Sequence, residues 1–423
     1  MAHYRSLGAA FLAASAAALP GWASEERAPG AGNATAMKVA AGSPLVQASL
    51  GYLHERALAI RDPALREATL DATSNPATCV RHRARLSPAD QKAILDRLLA
   101  EGLYAPADAA AFPGGAAAGV FPPVLYDGSA CPRLPQPFGS APGSVFGGHH
   151  SAPGGLAIHE AFNEKSSESL AANYARNYQP LPHEKTPPRA PSGIDEDLVI
   201  AAPIWHDWAK TIVLQWNADG SEFPEFNFGG NGATDAFGQP GDSRTGGHHV
   251  LGVAEAMARG LAPDMVITQA CAHSAPTLGN EFKVVNWLRA AAIIARVDPV
   301  ARGYLRLDAT GRPRLPPLRR LGDVNLQAAD PAQVNVLPEY TIHHLSDADY
   351  VFTAPAVTQA EALLRRLAAR YGYAPSDLAR YNWSFRNTVL SHLSAERIAF
   401  AYERGGLEAV LEEVDALRVG KVL

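Results

Sequence analysis

The chain has 423 residues, 47% hydrophobic and only 19% charged, with a formal charge of −5. That balance excludes a disordered, strongly solvated chain and provides no basic footprint for DNA or RNA. The 36 Gly and 33 Pro exceed the usual combined share of about 12% and call for long irregular segments.

His3 and Arg5 open the chain, Leu7 to Leu19 is apolar, and Pro20-Gly21-Trp22-Ala23 precedes the acidic pair Glu25-Glu26. This is the three-part layout of a secretory signal peptide over residues 1–23, cut after Ala23. The apolar run is too short for a bilayer, which needs about 20 residues. The mature chain is therefore expected to be periplasmic or secreted, with no membrane span after cleavage. Residues 24–44 are small and polar and read as a flexible leader. Cys79 and Cys131 lie in loop-like surroundings and could pair in an oxidising compartment, whereas Cys271 sits in an apolar stretch as a small buried hydrophobe.

Residues 45–146 read as an N-terminal helical extension with an irregular connection. In 45–103 the clearest helix begins at Ser87-Pro88-Ala89-Asp90, an N-cap, a first-turn proline and a first-turn acid. Ile94, Leu95, Leu98 and Leu99 form its buried stripe. The basic run Arg81-His82-Arg83-Ala84-Arg85 reads as a solvated face or loop, with a polyanion site as the alternative. Residues 104–155 are too dense in Gly and Pro for a long helix. Helical stretches follow near 156–178, 195–217, 247–260, 262–273 and 280–297. The inserts Gln179 to Ile194 and Asn217 to Gly247 separate them, long enough to act as lids or binding loops. Residues 301–423 read as a C-terminal helical region packed on the core, with helices near 357–371, 376–393 and 394–417. The expected fold class is all-α.

Trp205-His206-Asp207-Trp208-Ala209-Lys210 lies inside the apolar run Leu198 to Trp216. Burying an acid, an imidazole and an ammonium together needs strong compensation. A divalent metal supplies it, since carboxylate and neutral imidazole are suitable ligands. On a helix, Lys210 shares the face of His206 and Asp207. A structural His–Asp pair with a snorkelling lysine is the plainer alternative. Around this motif stand His159 after Gly154-Gly155-Leu156, His248 after Gly247 with Gly252 four residues on, His273 near the end of an apolar helix, and Asp298 after another. Such residues cannot meet on one helix but can converge inside a bundle of facing helices.

This ordered set resembles the HD-domain superfamily of metal-dependent phosphohydrolases, over roughly residues 147–300. The resemblance implies an HD-type helical bundle with a metal-binding core at 147–300. It implies that His159, His206, Asp207 and Asp298 hold one metal. Asp207 would bridge to a second metal completed by His248 and His273, with His249 as a substitute for His248. Two divalent ions (Mn, Fe, Mg, Zn or Ni) would activate a water and polarise a phosphoryl oxygen. Asp207 and Lys210 are the expected catalytic residues, Lys210 neutralising a phosphate oxygen. The implied partner is a small phosphorylated substrate, such as a nucleotide, and not a nucleic acid. Two rivals remain open: a di-iron oxygenase of the same fold cleaving a C–C or C–P bond, and a non-enzymatic protein with a structural metal.

Other residues read more plainly. His149-His150 after Gly147-Gly148 suggest a loop edge, with an added ligand as the alternative. His343-His344 with Asp347 and Asp349 have the composition of a metal cluster but read as a polar turn and helix cap. Trp205, Trp208, Trp216 and Trp287 read as core. Asn231 and Arg244 could contact substrate.

Overall fold

The computed structural model describes residues 28–177, 194–230, 242–276, 280–318 and 337–423. The expected signal peptide, Asn231 and residues 179–193 of the first insert lie outside them. Among the described residues no helix is long and apolar enough to cross a membrane.

The chain is all-α, and among the described residues there are two small two-stranded antiparallel ribbons, β1 (Asn227–Phe228) with β2 (Thr245–Gly246) and β3 (Arg306–Leu307) with β4 (Pro313–Arg314). Residues 33–42, expected as part of a flexible leader, instead form helix α1 (Asn33–Gly42), whose Ala36 and Ala40 are buried. Small residues four apart can pack closely, which composition alone reads as a linker. Three proline-initiated helices follow: α2 (Pro44–Ala59), α3 (Pro63–Ser74) and α4 (Pro88–Ala100). Ser43 caps α2 at Val46 N (3.2 Å) and Asp62 caps α3 at Leu65 N (2.8 Å). At α4, Ser87 and Asp90 form the reciprocal capping box. The Gly/Pro-dense connection holds the short α5 (Pro106–Ala111) and α6 (Gly115–Val120) and a 3-10 turn at Phe138–Ser140. A Cys79–Cys131 disulfide closes part of it, with a Cα separation of 5.5 Å.

The central bundle comprises α7 (Gly155–Asn177), α8 (Glu196–His206), the single turn α9 (Lys210–Val213), α10 (Gly247–Ala258), α11 (Pro263–Ala270), α12 (Glu281–Ala295) and α13 (Pro338–Ser346). Every residue of α8 from Leu198 to His206 is buried. A helix apolar all round belongs in the middle of a core. It packs against α7, α11 and α13, and α10 packs against α12. The expected helix over 195–217 breaks at Asp207, whose non-helical backbone ends α8. A 2.8 Å bond from Lys210 N to Asp207 O keeps the turn tight, so the two side chains still share one side.

The C-terminal helices have their own apolar cluster. They are α14 (Tyr350–Leu367), α15 (Leu378–Tyr381), a π-helical turn over Asn382–Asn387, α16 (Thr388–Leu393) and α17 (Ala395–Val419), which kinks at Gly405-Gly406. Ser391 joins the two parts, accepting at its carbonyl from Ser43 Oγ (2.7 Å) and donating to Pro153 O (2.8 Å).

Candidate metal centre

The site is built where the starts of α7 and α10, the end of α8 and the link from α13 to α14 meet. Gly154, at φ +82°, turns the chain into α7 and places His159 on its second turn. Along α7 the buried face is polar: His159, Glu160, Asn163, Glu164 and Ser167 follow one another at helical spacing. His206 closes α8, and its Nδ1 is committed to Pro203 O (2.8 Å) and Glu160 Oε2 (3.0 Å). Nε2 is thereby left to face the site, the usual way an imidazole ligand is oriented.

Asp207 divides its two oxygens between two groups of histidines. Oδ2 lies 3.2 Å from His159 Nε2 and 3.4 Å from His206 Nε2, while Oδ1 lies 3.0 Å from His248 Nε2. His248, the first residue after the Gly247 that opens α10, is aimed by Glu225, which binds its backbone N and faces its Nδ1. His273 pairs its Nδ1 with Thr245 Oγ1 at 2.9 Å. Two three-residue groups with clustered donor atoms result, His159–His206–Asp207 and Asp207–His248–His273. His249 stacks on His273 with ring centres 4.3 Å apart, and neither of its ring nitrogens finds a partner. The donor group around Asp207 and His273 includes His248 and not His249, so His248 is the residue aimed at Asp207.

Asp298 does not join these residues. It is exposed, caps the turn after α12 through Val300 N and Ala301 N, and lines a groove between α4 and α12. Proline at 299 holds that turn outside the helix. The acid that joins the cluster is Asp347, from the polar turn after α13. Its Oδ1 is 3.3 Å from His159 Nε2 and 3.2 Å from His206 Nε2, and its Oδ2 is 3.9 Å from His273 Nε2. Asp349 adds a carboxylate on the far side of His159, 3.4 Å from Nδ1, and 2.9 Å from His150 Nε2. His149 packs its ring on His159 with centres 4.8 Å apart. Both segments expected as a plain loop edge and a polar turn therefore reach the site.

Lys210 is buried and donates to Asp207 Oδ2 and to the Gly143 carbonyl. Its ammonium is engaged with the Asp207 carboxylate and the 143–151 loop. Arg244 pairs with Asp108 at 3.2 Å. The four tryptophans are core, as expected. The Arg81–Arg85 run is a loop segment with a 3-10 turn and exposed ends, but His82 and Arg83 are buried, the first on Glu255 and the second on Pro122 O.

Electrostatics fit a cation. Burial disfavours the charged forms, yet His206 and Lys210 together hold the Asp207 carboxyl well below the ordinary carboxylate range. Asp207, Glu160 and Asp347 in turn outweigh burial and push His206 well above an ordinary imidazole. Burial and the neighbouring His249 hold His273 neutral, its ligand form. Asp207 Oδ1 and His248 Nε2 are buried without a hydrogen-bond partner. Such orphans are costly unless something polar sits between them. Comparison with known proteins returned no matching family model, no matching curated protein and no matching solved structure.

Proposed function

We propose that the chain is an exported HD-type phosphohydrolase that cleaves a small phosphate ester at a two-metal His/Asp centre. The observation that carries this reading is the split of Asp207, with one oxygen turned to His159 and the other to His248. A carboxylate shared in this way is how two ions are held side by side in two-metal hydrolytic sites. His159, His206, Asp207 and Asp347 would hold the first ion, and Asp207, His248 and His273 the second. Bound divalent ions supply a water of lowered pKa and polarise a phosphoryl oxygen.

The chain's own residues do the rest. Glu225 and Thr245 fix the ring orientations of His248 and His273, and Pro203 O and Glu160 fix His206. Lys210 restrains Asp207 so that both of its oxygens stay directed at the histidines. Exposure is greatest at His273, whose side chain is 27% exposed while those of His159 and His206 are at 1% or less, so substrate enters from the second-ion side. Export is supported by the signal-like N-terminus and by the Cys79–Cys131 disulfide, which persists in an oxidising compartment.

The test is elemental analysis of protein purified without added metal, then a phosphate-ester panel with and without chelator. The expected result is at least two ions per chain and chelator-sensitive release of phosphate that Asp207→Ala abolishes. Metal-free protein, or full activity in Asp207→Ala, overturns the reading. Dioxygen-dependent turnover by iron-loaded protein transfers the site to oxygenase chemistry.

A further inference from the structure

We infer that the centre extends to a third cation site, formed by His150, Asp349 and the outer edge of His159. Donor atoms of these three residues lie within 4.8 Å of one another, and all three side chains are buried. The group adjoins the two already described and shares His159 with the first, much as the first two share Asp207.

The same signature marks the second and third groups. In the second, Asp207 Oδ1 and His248 Nε2 face each other at 3.0 Å and neither is hydrogen-bonded. In the third, His159 Nδ1 and Asp349 Oδ1 face each other at 3.4 Å, and again neither is hydrogen-bonded. An imidazole merely oriented by a carboxylate closes a hydrogen bond of about 2.7–2.9 Å. A separation of about 3.4 Å is instead the edge expected between two ligands of one tetrahedral ion with bonds near 2.1 Å. The third donor is His150 Nε2, which is hydrogen-bonded to Asp349 Oδ2 at 2.9 Å and would exchange that bond for the ion.

Two further features belong to this spot. His150 is held at φ +50°, a left-handed backbone that a non-glycine residue adopts at a cost and that clusters at functional sites. Beyond its ring lies a cavity of about 10 Å³, lined by His150, Ser151, Ser394 and Glu396, among others. Glu396 Oε1 is also buried there without a partner, 3.9 Å from His150 Nδ1. A space of that size holds about one water.

Two imidazoles and a carboxylate suit a borderline divalent ion such as zinc, and not calcium or magnesium. Binding there displaces the Nδ1 proton of His159 to solvent, because a ligating nitrogen must be unprotonated. His159 then spans two ions through its two nitrogens.

The experiment loads the full chain with zinc, removes loose ions by gel filtration and counts ions per chain. Three for the wild type, two for His150→Ala and two for His273→Ala are expected. Two ions in both the wild type and His150→Ala overturn the third site and leave the two-metal reading standing; none in the wild type overturns both. If His150→Ala fails to fold, anomalous scattering at the zinc edge from wild-type crystals decides. A peak between His150 and Asp349 supports the third site, and peaks only at the other two groups refute it.

Discussion

Asp347 Oδ1 lies 3.2 Å from His206 Nε2, joining residues 141 positions apart in the chain. Asn163 Nδ2 donates to the same oxygen at 3.2 Å, so the carboxylate is fixed from two helices. Replacing Asp347 by Ala removes a buried anion facing His159, His206 and His273. Loss of retained metal is expected, with affinity for the first ion falling more than the 10–100-fold typical of an outer-shell partner. Asp298→Ala removes only a turn cap on the surface and should leave metal content at the wild-type level. Chelator competition on the two variants checks both; equal losses would place Asp298 back in the site.

Gly252 and Gly155 are both close-approach glycines, and the structure ranks them. A Cβ at Gly155 would sit 1.7 Å from the His150 carbonyl, whereas one at Gly252 would sit 3.3 Å from Gln269 Nε2 and 3.4 Å from His206 O. The first cannot be accommodated without moving the 143–151 loop off α7. Gly155→Ala is expected to cost about 3 kcal/mol or more and to lower metal affinity with it. Gly252→Ala trades tight contact against the gain of about 1 kcal/mol for alanine in a helix. Its stability should stay within about 1 kcal/mol of wild type. Urea midpoints in chelator check the order, which a larger loss at Gly252 would reverse.

These two sites also show what the sequence could and could not disclose. His206-Asp207 stood out because polar residues inside an apolar run need partners, and the run is the buried helix α8. His159 and His248 stood out because glycines put them at helix starts. Asp347 stood out only by composition, as part of a cluster, and reads as a polar turn, because it lies in a single 3-10 turn with no periodic neighbours to give it direction. The nearby His343-His344 and Asp349 were the available signal, and only folding shows that this turn faces α7. Likewise α1 was hidden because its buried residues are Asn33, Ala36 and Ala40, whose burial leaves little hydrophobic pattern.

Glu255 on α10 is a fully buried carboxylate outside the centre. It accepts from Arg81 N and His82 N (each 3.1 Å), His82 Nδ1 (2.8 Å) and Arg259 Nε (2.8 Å). Burial would raise its pKa, but the His82 hydrogen bond and the charge of Arg259 hold it at about 2, against 4.5 for an ordinary Glu. Its contribution to stability is therefore complete above pH 4.5 and is lost as pH falls towards 2; a shift of that size corresponds to about 3 kcal/mol. Burial lowers the His82 pKa below 6.5, so the unfolded chain takes up that proton first and stability again falls towards acid. Urea unfolding in chelator from pH 8 to pH 3 should show Glu255→Gln destabilised most near neutrality. The gap from wild type should narrow below pH 4.5. A gap constant over that range would rule out this carboxylate as the source.

The Cys79–Cys131 disulfide acts on the site through Arg259. Cys79 O accepts from Arg259 Nη2 at 3.1 Å, and the guanidinium lies over Trp205 and Trp208, 5.4 and 5.9 Å from their ring centres. Those tryptophans flank His206-Asp207, so the bridged segment braces the turn that carries both residues. A bridge with a sequence separation of 52 restricts the unfolded chain by about 4 kcal/mol in the loop-entropy description. The double replacement Cys79→Ser with Cys131→Ser is expected to lower stability by about 3–4 kcal/mol. Arg259 keeps its bonds to Glu255 and Asp71 without the bridge, so zinc affinity should fall less than about tenfold, at or below the low end for an outer-shell loss. Urea midpoints and zinc competition separate the two effects. An unchanged midpoint would show that the bridge contributes nothing to the fold, and a collapse in zinc affinity at full stability would make it part of the metal site.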